Sequence, residues 1–173
     1  MDFFTEQIVK KKKVALDYVK LVLLLILAGL IMMCTLSFVM IPTFGNIIFF
    51  IGAAMIYIIY RLITGLNLEY EYSFTNGSLD VDKIIAARKR KHIATLNART
   101  IEIMGPKTDH AFGSYFNNPD IKKIYACTHI DDSDVYFVVF ENDGKKSIML
   151  FNPNTKIKDG FKRFNPQKVS IDD

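Results

Sequence analysis

Two cysteines in 173 residues are too few for a disulfide framework, and they do not stand at the spacings that metal sites use. Cys34 falls inside a hydrophobic run and Cys127 inside a predicted strand, so buried free thiols in a reducing compartment are expected. Catalytic signatures are missing as well. There is no H-E-x-x-H, no G-x-S-x-G and no phosphate-binding loop, and His92, His110 and His129 are scattered along the chain. Asp109-His110 beside Gly113-Ser114-Tyr115 groups residue types that hydrolases use, but nothing in the pattern brings nucleophile, base and orienter together. Asp131, Asp132 and Asp134 open like a calcium loop, yet the sixth and twelfth positions hold Tyr136 and Asn142 where Gly and Glu are required. The chain is therefore read as a non-enzyme with no cofactor and no metal.

Charge is absent altogether from Leu21 to Tyr60, a run of 40 residues without Asp, Glu, Lys or Arg. One helix needs only about 20 apolar residues to cross a hydrocarbon core about 30 Å thick, so this run holds two crossings. Pro42, Gly45 and Asn46 break it at the middle, which gives spans of about 21–41 and 44–63 within a hairpin over 21–63. Both must be helical, because lipid cannot satisfy an open backbone. No ionisable side chain marks an ion or proton path. Gly52, Ala53 and Ala54 supply small residues for helix association, without a G-x-x-x-G.

Positive charge flanks the run: Lys10, Lys11, Lys12, Lys13 and Lys20 precede it and Arg61 closes it. By the positive-inside rule both termini are cytoplasmic, in a multi-pass protein of the cell membrane. A cleaved signal peptide is not expected, since the stretch is too long, lacks a small-residue cleavage site and is followed by a second span. Residues 1–20 form a basic N-terminal segment. Phe3, Phe4 and Ile8 fall on one face if that segment is a short helix, with Lys10–Lys13 set against an anionic inner leaflet. The simpler alternative is that these lysines only fix topology.

The net charge of +4 divides equally, with +2 on residues 1–20 and +2 on residues 61–173. A strongly basic face is missing, and nucleic acid is not an expected partner.

Beyond the hydrophobic run, Tyr70, Tyr72 and Phe74 alternate with polar residues as a half-buried strand does. Asn76-Gly77 then signals a tight hairpin into Leu79 and Val81, and the sequon Asn76-Gly77-Ser78 is explained by that turn. Further strands are predicted near 91–96, 100–104, 121–128, 134–141 and 145–151, seven in all, with turns at 131–134 and 142–144 and a polar, aromatic loop over 107–120. Asn152 reads as an N-cap and Pro153 as the first residue of a final helix, on which Ile157, Phe161 and Phe164 share one face and which Pro166 ends.

The fold class is thus a membrane α-helical hairpin plus a mostly-β (α+β) domain over 66–166, with a tail at 167–173. That domain is expected to be a seven-stranded antiparallel barrel or sandwich capped by its C-terminal helix. With the hairpin, the segment Tyr70–Leu79, the strand count and Phe151-Asn152-Pro153, the chain resembles bacterial membrane proteins in which two transmembrane helices precede a pleckstrin-homology-like (PH-like) domain. Within that group it looks most like small membrane proteins of Firmicutes. The resemblance implies a binding scaffold.

Arg88-Lys89-Arg90-Lys91 is the sharpest charged feature, a candidate contact with anionic headgroups of the bilayer. Strand alternation would put Arg88 and Arg90 on one face and Lys89 and Lys91 on the other. The first hairpin turn, where eukaryotic phosphoinositide-binding domains carry basic residues, is instead flanked here by Asp80 and Asp82. Phe112, Tyr115 and Phe116 are candidate contacts for a protein partner, or else cover for the end of the domain. Two functions follow: a membrane-anchored, non-catalytic binding or scaffold protein at the cytoplasmic membrane surface, or a structural subunit assembling through its hairpin, as a homo-oligomer or with other chains.

Overall fold

The computed structural model describes residues 3–42, 44–142 and 144–171. Thr43 and Asp143, within two of the expected turns, and Asp172 and Asp173 of the expected tail lie outside the described residues, as do Met1 and Asp2. The chain forms two compact units, Lys13–Asn67 and Met1–Lys12 with Leu68–Asp173.

The first unit is a pair of helices, α1 (Ala15–Phe38) and α2 (Gly45–Gly65). Their mean hydropathies of 2.7 and 2.1 make both long and apolar enough to cross a membrane. The helix α1 starts earlier than the hydrophobic run because Asp17 accepts a hydrogen bond from the Val14 N–H at 3.1 Å and places its charge at the positive helix end. The hydroxyls of Thr35 and Ser37 donate to the carbonyls of Ile31 (2.8 Å) and Met33 (2.9 Å), so neither adds an unmet polar group to the apolar surface. A Cβ at Gly52 would lie 2.2 Å from Thr35 Oγ1, so the helices touch through a bare backbone there. Gly52 thus serves contact inside the hairpin.

Among the described residues the second unit holds eight strands in two four-stranded sheets and no closed barrel. Sheet A is β1 (Phe4–Lys10), β2 (Leu68–Thr75), β3 (Ser78–Ile85) and β4 (Lys89–Asn97) in sequence order, all antiparallel. Sheet B is ordered β5 (Ile103–Pro106), β7 (Tyr136–Asn142), β8 (Lys145–Phe151), β6 (Lys122–Tyr125). The expected all-antiparallel arrangement fails at β6, which runs parallel to β8. The loop after β6 and the β7–β8 hairpin each reverse the chain once, and two reversals restore the direction.

The eighth strand is β1, in the segment whose Phe3, Phe4 and Ile8 would share one face if it were a short helix. Thr5, Gln7 and Val9 turn inward and Phe4, Glu6, Ile8 and Lys10 outward, a period-two pattern that the open edge of β2 completes with backbone hydrogen bonds. Phe3 and Phe4 therefore part company: Phe3 meets Phe74 edge-on at 5.6 Å, whereas Phe4 is 66% exposed. The basic N-terminal segment is accordingly not one piece. Residues 3–12 belong with the sheets.

Tyr72, Phe74, Leu79 and Val81 from sheet A meet Met104, Val138, Met149 and Phe151 from sheet B in the main core, closed by Ile157 and Phe161 of α4 (Thr155–Phe164). The far face of sheet B buries Phe137, Val139, Ile148 and Leu150 under α3 (His110–Phe116), a helix inside the expected loop. Buried on both faces, β7 reads as an unbroken apolar run. The N-cap of α4 is Asn154, whose Oδ1 accepts from the Ile157 N–H at 2.9 Å, two residues later than expected because Asn152 holds Thr128 instead. The expected tail also pairs: Met104 N–H donates to Lys168 O and Ser170 N–H to Met104 O, both at 2.8 Å, which buries Val169.

A Cβ at Gly160 would come within 2.8 Å of the Phe74 ring and 2.9 Å of the Phe3 ring. Gly to Ala inside a helix ordinarily stabilises by about 1 kcal/mol. Here overpacking, at roughly 1–3 kcal/mol, opposes and exceeds that gain. Gly160→Ala is expected to lower stability by about 1 kcal/mol in urea unfolding of the full chain; an increase would show that α4 does not pack this closely.

Candidate functional site

Strand register decides where the two basic segments lie. Lys10 pairs with Glu69, Leu68 with Ile85, and Ile85 with Lys89. Lys11 N–H donates to Leu68 O at 2.9 Å, and Lys12 N–H to Thr128 O at 3.0 Å. Lys10–Lys12 and Arg88–Lys91 thus share one end of sheet A, the end at which the chain runs on through Lys13 into α1 and returns from α2.

The turn joining β3 to β4 holds Ala86 and Ala87 at φ of 56° and 52°, closed by Arg88 N–H donating to Ile85 O at 3.1 Å. Alanine reaches this left-handed region only at a cost of about 1–2 kcal/mol per residue. The other hairpin of the sheet puts Asn76 and Gly77 in the same region, where they fit more easily. The basic segment therefore begins at a tight turn and continues into β4, rather than forming a loop throughout. The side chains do not sort into one exposed and one buried set, since residues 89–92 are all exposed.

The cations are unequal. Arg90 Nη2 lies 3.0 Å from Glu71 Oε2, Lys10 pairs loosely with Glu69 at 3.6 Å, and Lys12 Nζ sits 2.7 Å from Asp132 Oδ1. Lys12 and the Thr128 hydroxyl together hold the Asp132 carboxyl below its usual range. Among the described residues no ion pair engages Lys11, Lys89 or Lys91. Exposed cations of this kind meet a diffuse anionic surface without first breaking an internal pair.

Glu71 is 4% exposed on the outer face of sheet A, between Ile8 of β1 and Asp82 of β3. A hydrogen bond shared with the Glu6 carboxyl, reinforced by burial, raises its proton affinity, and the Arg90 charge only partly opposes this. His92 Nδ1 meets Asp82 Oδ1 at 2.9 Å beside them. The Glu6 contact was not visible in the sequence, because it requires β1 to pair with β2, and the other two depend on the register of β2, β3 and β4.

A second polar network lies across the domain. The Gln7 amide donates to Asn152 O at 2.9 Å and its Oε1 accepts from Asn154 N–H at 2.8 Å, joining residues 145 and 147 positions apart. Asn152 Oδ1 accepts from Thr128 N–H at 2.8 Å. The fully buried Tyr72 donates its hydroxyl to Ala126 O and accepts from Asn152 N–H at 3.3 Å. Gln7, Thr128, Asn152 and Asn154 of this network help to wall an open cavity of about 710 Å³.

The candidate partner-contact residues fall on α3. Phe112 stacks on Phe116 at 4.9 Å and tilts against Phe137 at 5.5 Å, and the Tyr115 hydroxyl donates to Glu102 at 2.9 Å. All three are half-buried and pack on sheet B, the covering role weighed in the sequence. Cys127 is buried, and burial pushes its thiol up and away from reactivity. No cluster of His, Cys, Asp and Glu fit for a metal occurs among the described residues.

The chain matches the bacterial PH-like domain family (DUF6106) over residues 1–171, and it belongs to that family. Neither the curated proteins nor the solved structures give a match. The eight strands and closing helix agree with that family's fold, without barrel closure.

A raised Glu71 gives stability that is complete below the ordinary glutamate value of 4.5 and is lost as pH climbs through the folded-state value. Glu71→Gln removes the charge and keeps the shape. It is expected to be more stable than the parent at neutral pH and to lose the slope just above the ordinary glutamate range, read by urea unfolding across acid to neutral pH. A variant less stable at neutral pH would show that the Arg90 pair dominates.

Proposed function

We propose that this PH-like protein is a membrane-anchored, non-catalytic binding module whose basic end, Lys10–Lys13 with Arg88–Lys91, lies on the anionic cytoplasmic face of the cell membrane. The observation that carries this reading is the register of sheet A, which gathers both basic segments at the end continuous with the two apolar helices.

Connectivity adds a constraint. The strands β1 and β2 are hydrogen-bonded neighbours, and the chain between them consists of α1, α2 and their short connections. If α1 and α2 cross the bilayer, they must cross as a pair, because a single crossing would leave β1 and β2 on opposite sides. Two crossings place the whole domain on one side, and the lysines before α1 with Arg61 in α2 select the cytoplasmic side. Each cation near such a surface contributes about 1 kcal/mol of attraction, and the attraction falls off within a Debye length.

The acidic residues support a non-catalytic reading. Glu71 is tied to Glu6 and Arg90, Asp82 to His92 and Asp132 to Lys12; the Thr95 hydroxyl stands 3.2 Å from His92 Nε2 but donates its proton to Asp80 on an exposed strand face, so the imidazole does not activate it as a nucleophile. What remains for the outside world is a surface with one basic end and a polar cavity.

Hydrogen exchange of the full chain in nanodiscs tests the lipid contact. Residues 86–92 are expected to exchange more slowly in phosphatidylglycerol than in phosphatidylcholine. That difference is expected to vanish in Lys11→Gln/Lys89→Gln/Lys91→Gln and at high salt. Equal exchange in both lipids removes the proposal.

A further inference from the structure

The open cavity of about 710 Å³ is walled by three segments distant in sequence: β1 with Lys12, the loop 128–134, and residues 152–158 at the start of α4. Its volume is within the usual range for small-molecule sites, but its lining is unusual for them in being mainly polar. Four ionic side chains line it, Lys12, Lys158, Asp132 and Asp134.

Two of the four satisfy each other. Lys12 and Asp132 meet at 2.7 Å, and the Thr128 hydroxyl also donates to Asp132. The other two remain available to a ligand. Lys158 Nζ rests 5.0 Å from the centre of the Tyr136 ring, and Asp134 accepts only a 3.2 Å hydrogen bond from the neighbouring Ser133 hydroxyl. Among the described residues, no ion pair engages either of them.

We infer that this cavity binds a zwitterion of the phosphoethanolamine type, its phosphate at Lys158 and its ammonium at Asp134. The sign balance carries the choice. With Lys12 and Asp132 neutralising each other, a simple anion would gain half-buried Lys158 and be repelled by exposed Asp134, a simple cation would meet the reverse, and a neutral ligand would leave both free charges unmatched. Only a ligand with one charge of each sign satisfies both.

The walls are held before any ligand arrives. Gln7 clamps the backbone at Asn152 and Asn154, and Asn152 fixes Thr128, so ordering the site on binding costs little. The test residues Lys158 and Asp134 take no part in lipid contact at the basic end; Lys12 belongs to both, but in the cavity it is paired with Asp132.

Phosphoethanolamine occurs both as a lipid headgroup and as a free solute, and two arms separate the sources. The full-length protein in detergent micelles is titrated with O-phosphoethanolamine by calorimetry. The same protein is equilibrated with phosphatidylethanolamine and, separately, phosphatidylglycerol, and bound lipid is counted by native mass spectrometry. At least one zwitterionic probe is expected to bind, with Lys158→Gln and Asp134→Asn each weakening it about tenfold, the loss of one charged hydrogen bond. The thermal midpoint is expected to stay unchanged in both variants. Binding of the soluble probe alone assigns a free zwitterion, and binding of the lipid assigns a headgroup. The inference is overturned if neither zwitterion binds, if the two variants bind as the parent does, or if phosphatidylglycerol binds as tightly as phosphatidylethanolamine.

Discussion

Everything in this molecule depends on the pairing of β1 with β2. The two strands form a continuous seven-residue ladder from Phe4 opposite Thr75 to Lys10 opposite Glu69, although all of α1 and α2 lies between them in the chain. Closing so long a connection would ordinarily cost entropy that grows slowly with its length. An antiparallel helical pair reduces that cost, since it brings the chain back close to where it left. The constraint acts in the other direction too, because the ladder forbids the two helices from ending on opposite sides of a bilayer.

Two consequences follow for the surface. With β1 in place, Glu6 comes beside Glu71, and the outer face of sheet A acquires a buried carboxyl whose charge is only partly balanced by Arg90. With Gln7 in place, the amide reaches residues 152 and 154 and builds the cavity wall. Without β1 the domain would lose a sheet edge, a wall of its cavity and three of its basic residues together. A fragment beginning after α2 is therefore not an intact domain.

Local pattern in the sequence revealed much of this. The uncharged run from Leu21 to Tyr60, the alternation through Tyr70, Tyr72 and Phe74, the Asn76-Gly77 turn and the apolar face of Ile157 and Phe161 all identify their elements from neighbouring residues alone. The strand β1 escaped because Phe3, Phe4 and Ile8 also suit one helical face, and the partner that decides between the periods lies beyond the hairpin. Helix α3 escaped because seven residues, one of them Gly113, carry little periodic signal; its existence depends on the Asp109 cap, which accepts from the Ala111 N–H at 2.8 Å, and on Phe137 beneath it. The basic segments were visible as charge, but their meeting at one end of a sheet depends on register. The cavity was invisible, as its walls converge only in three dimensions.

If α1 and α2 cross a membrane, the β1–β2 ladder requires both connections of the helical pair to leave the domain on one side of it. Single cysteines in a Cys34→Ser/Cys127→Ser background, at Phe4, Pro42 and Asn118, probed with a membrane-impermeant maleimide in intact cells and in inverted vesicles, test it most directly. Phe4→Cys and Asn118→Cys are expected to label from the same face, and Pro42→Cys from the opposite one. Labelling of Phe4→Cys and Asn118→Cys from opposite faces would contradict the β1–β2 pairing and everything built on it.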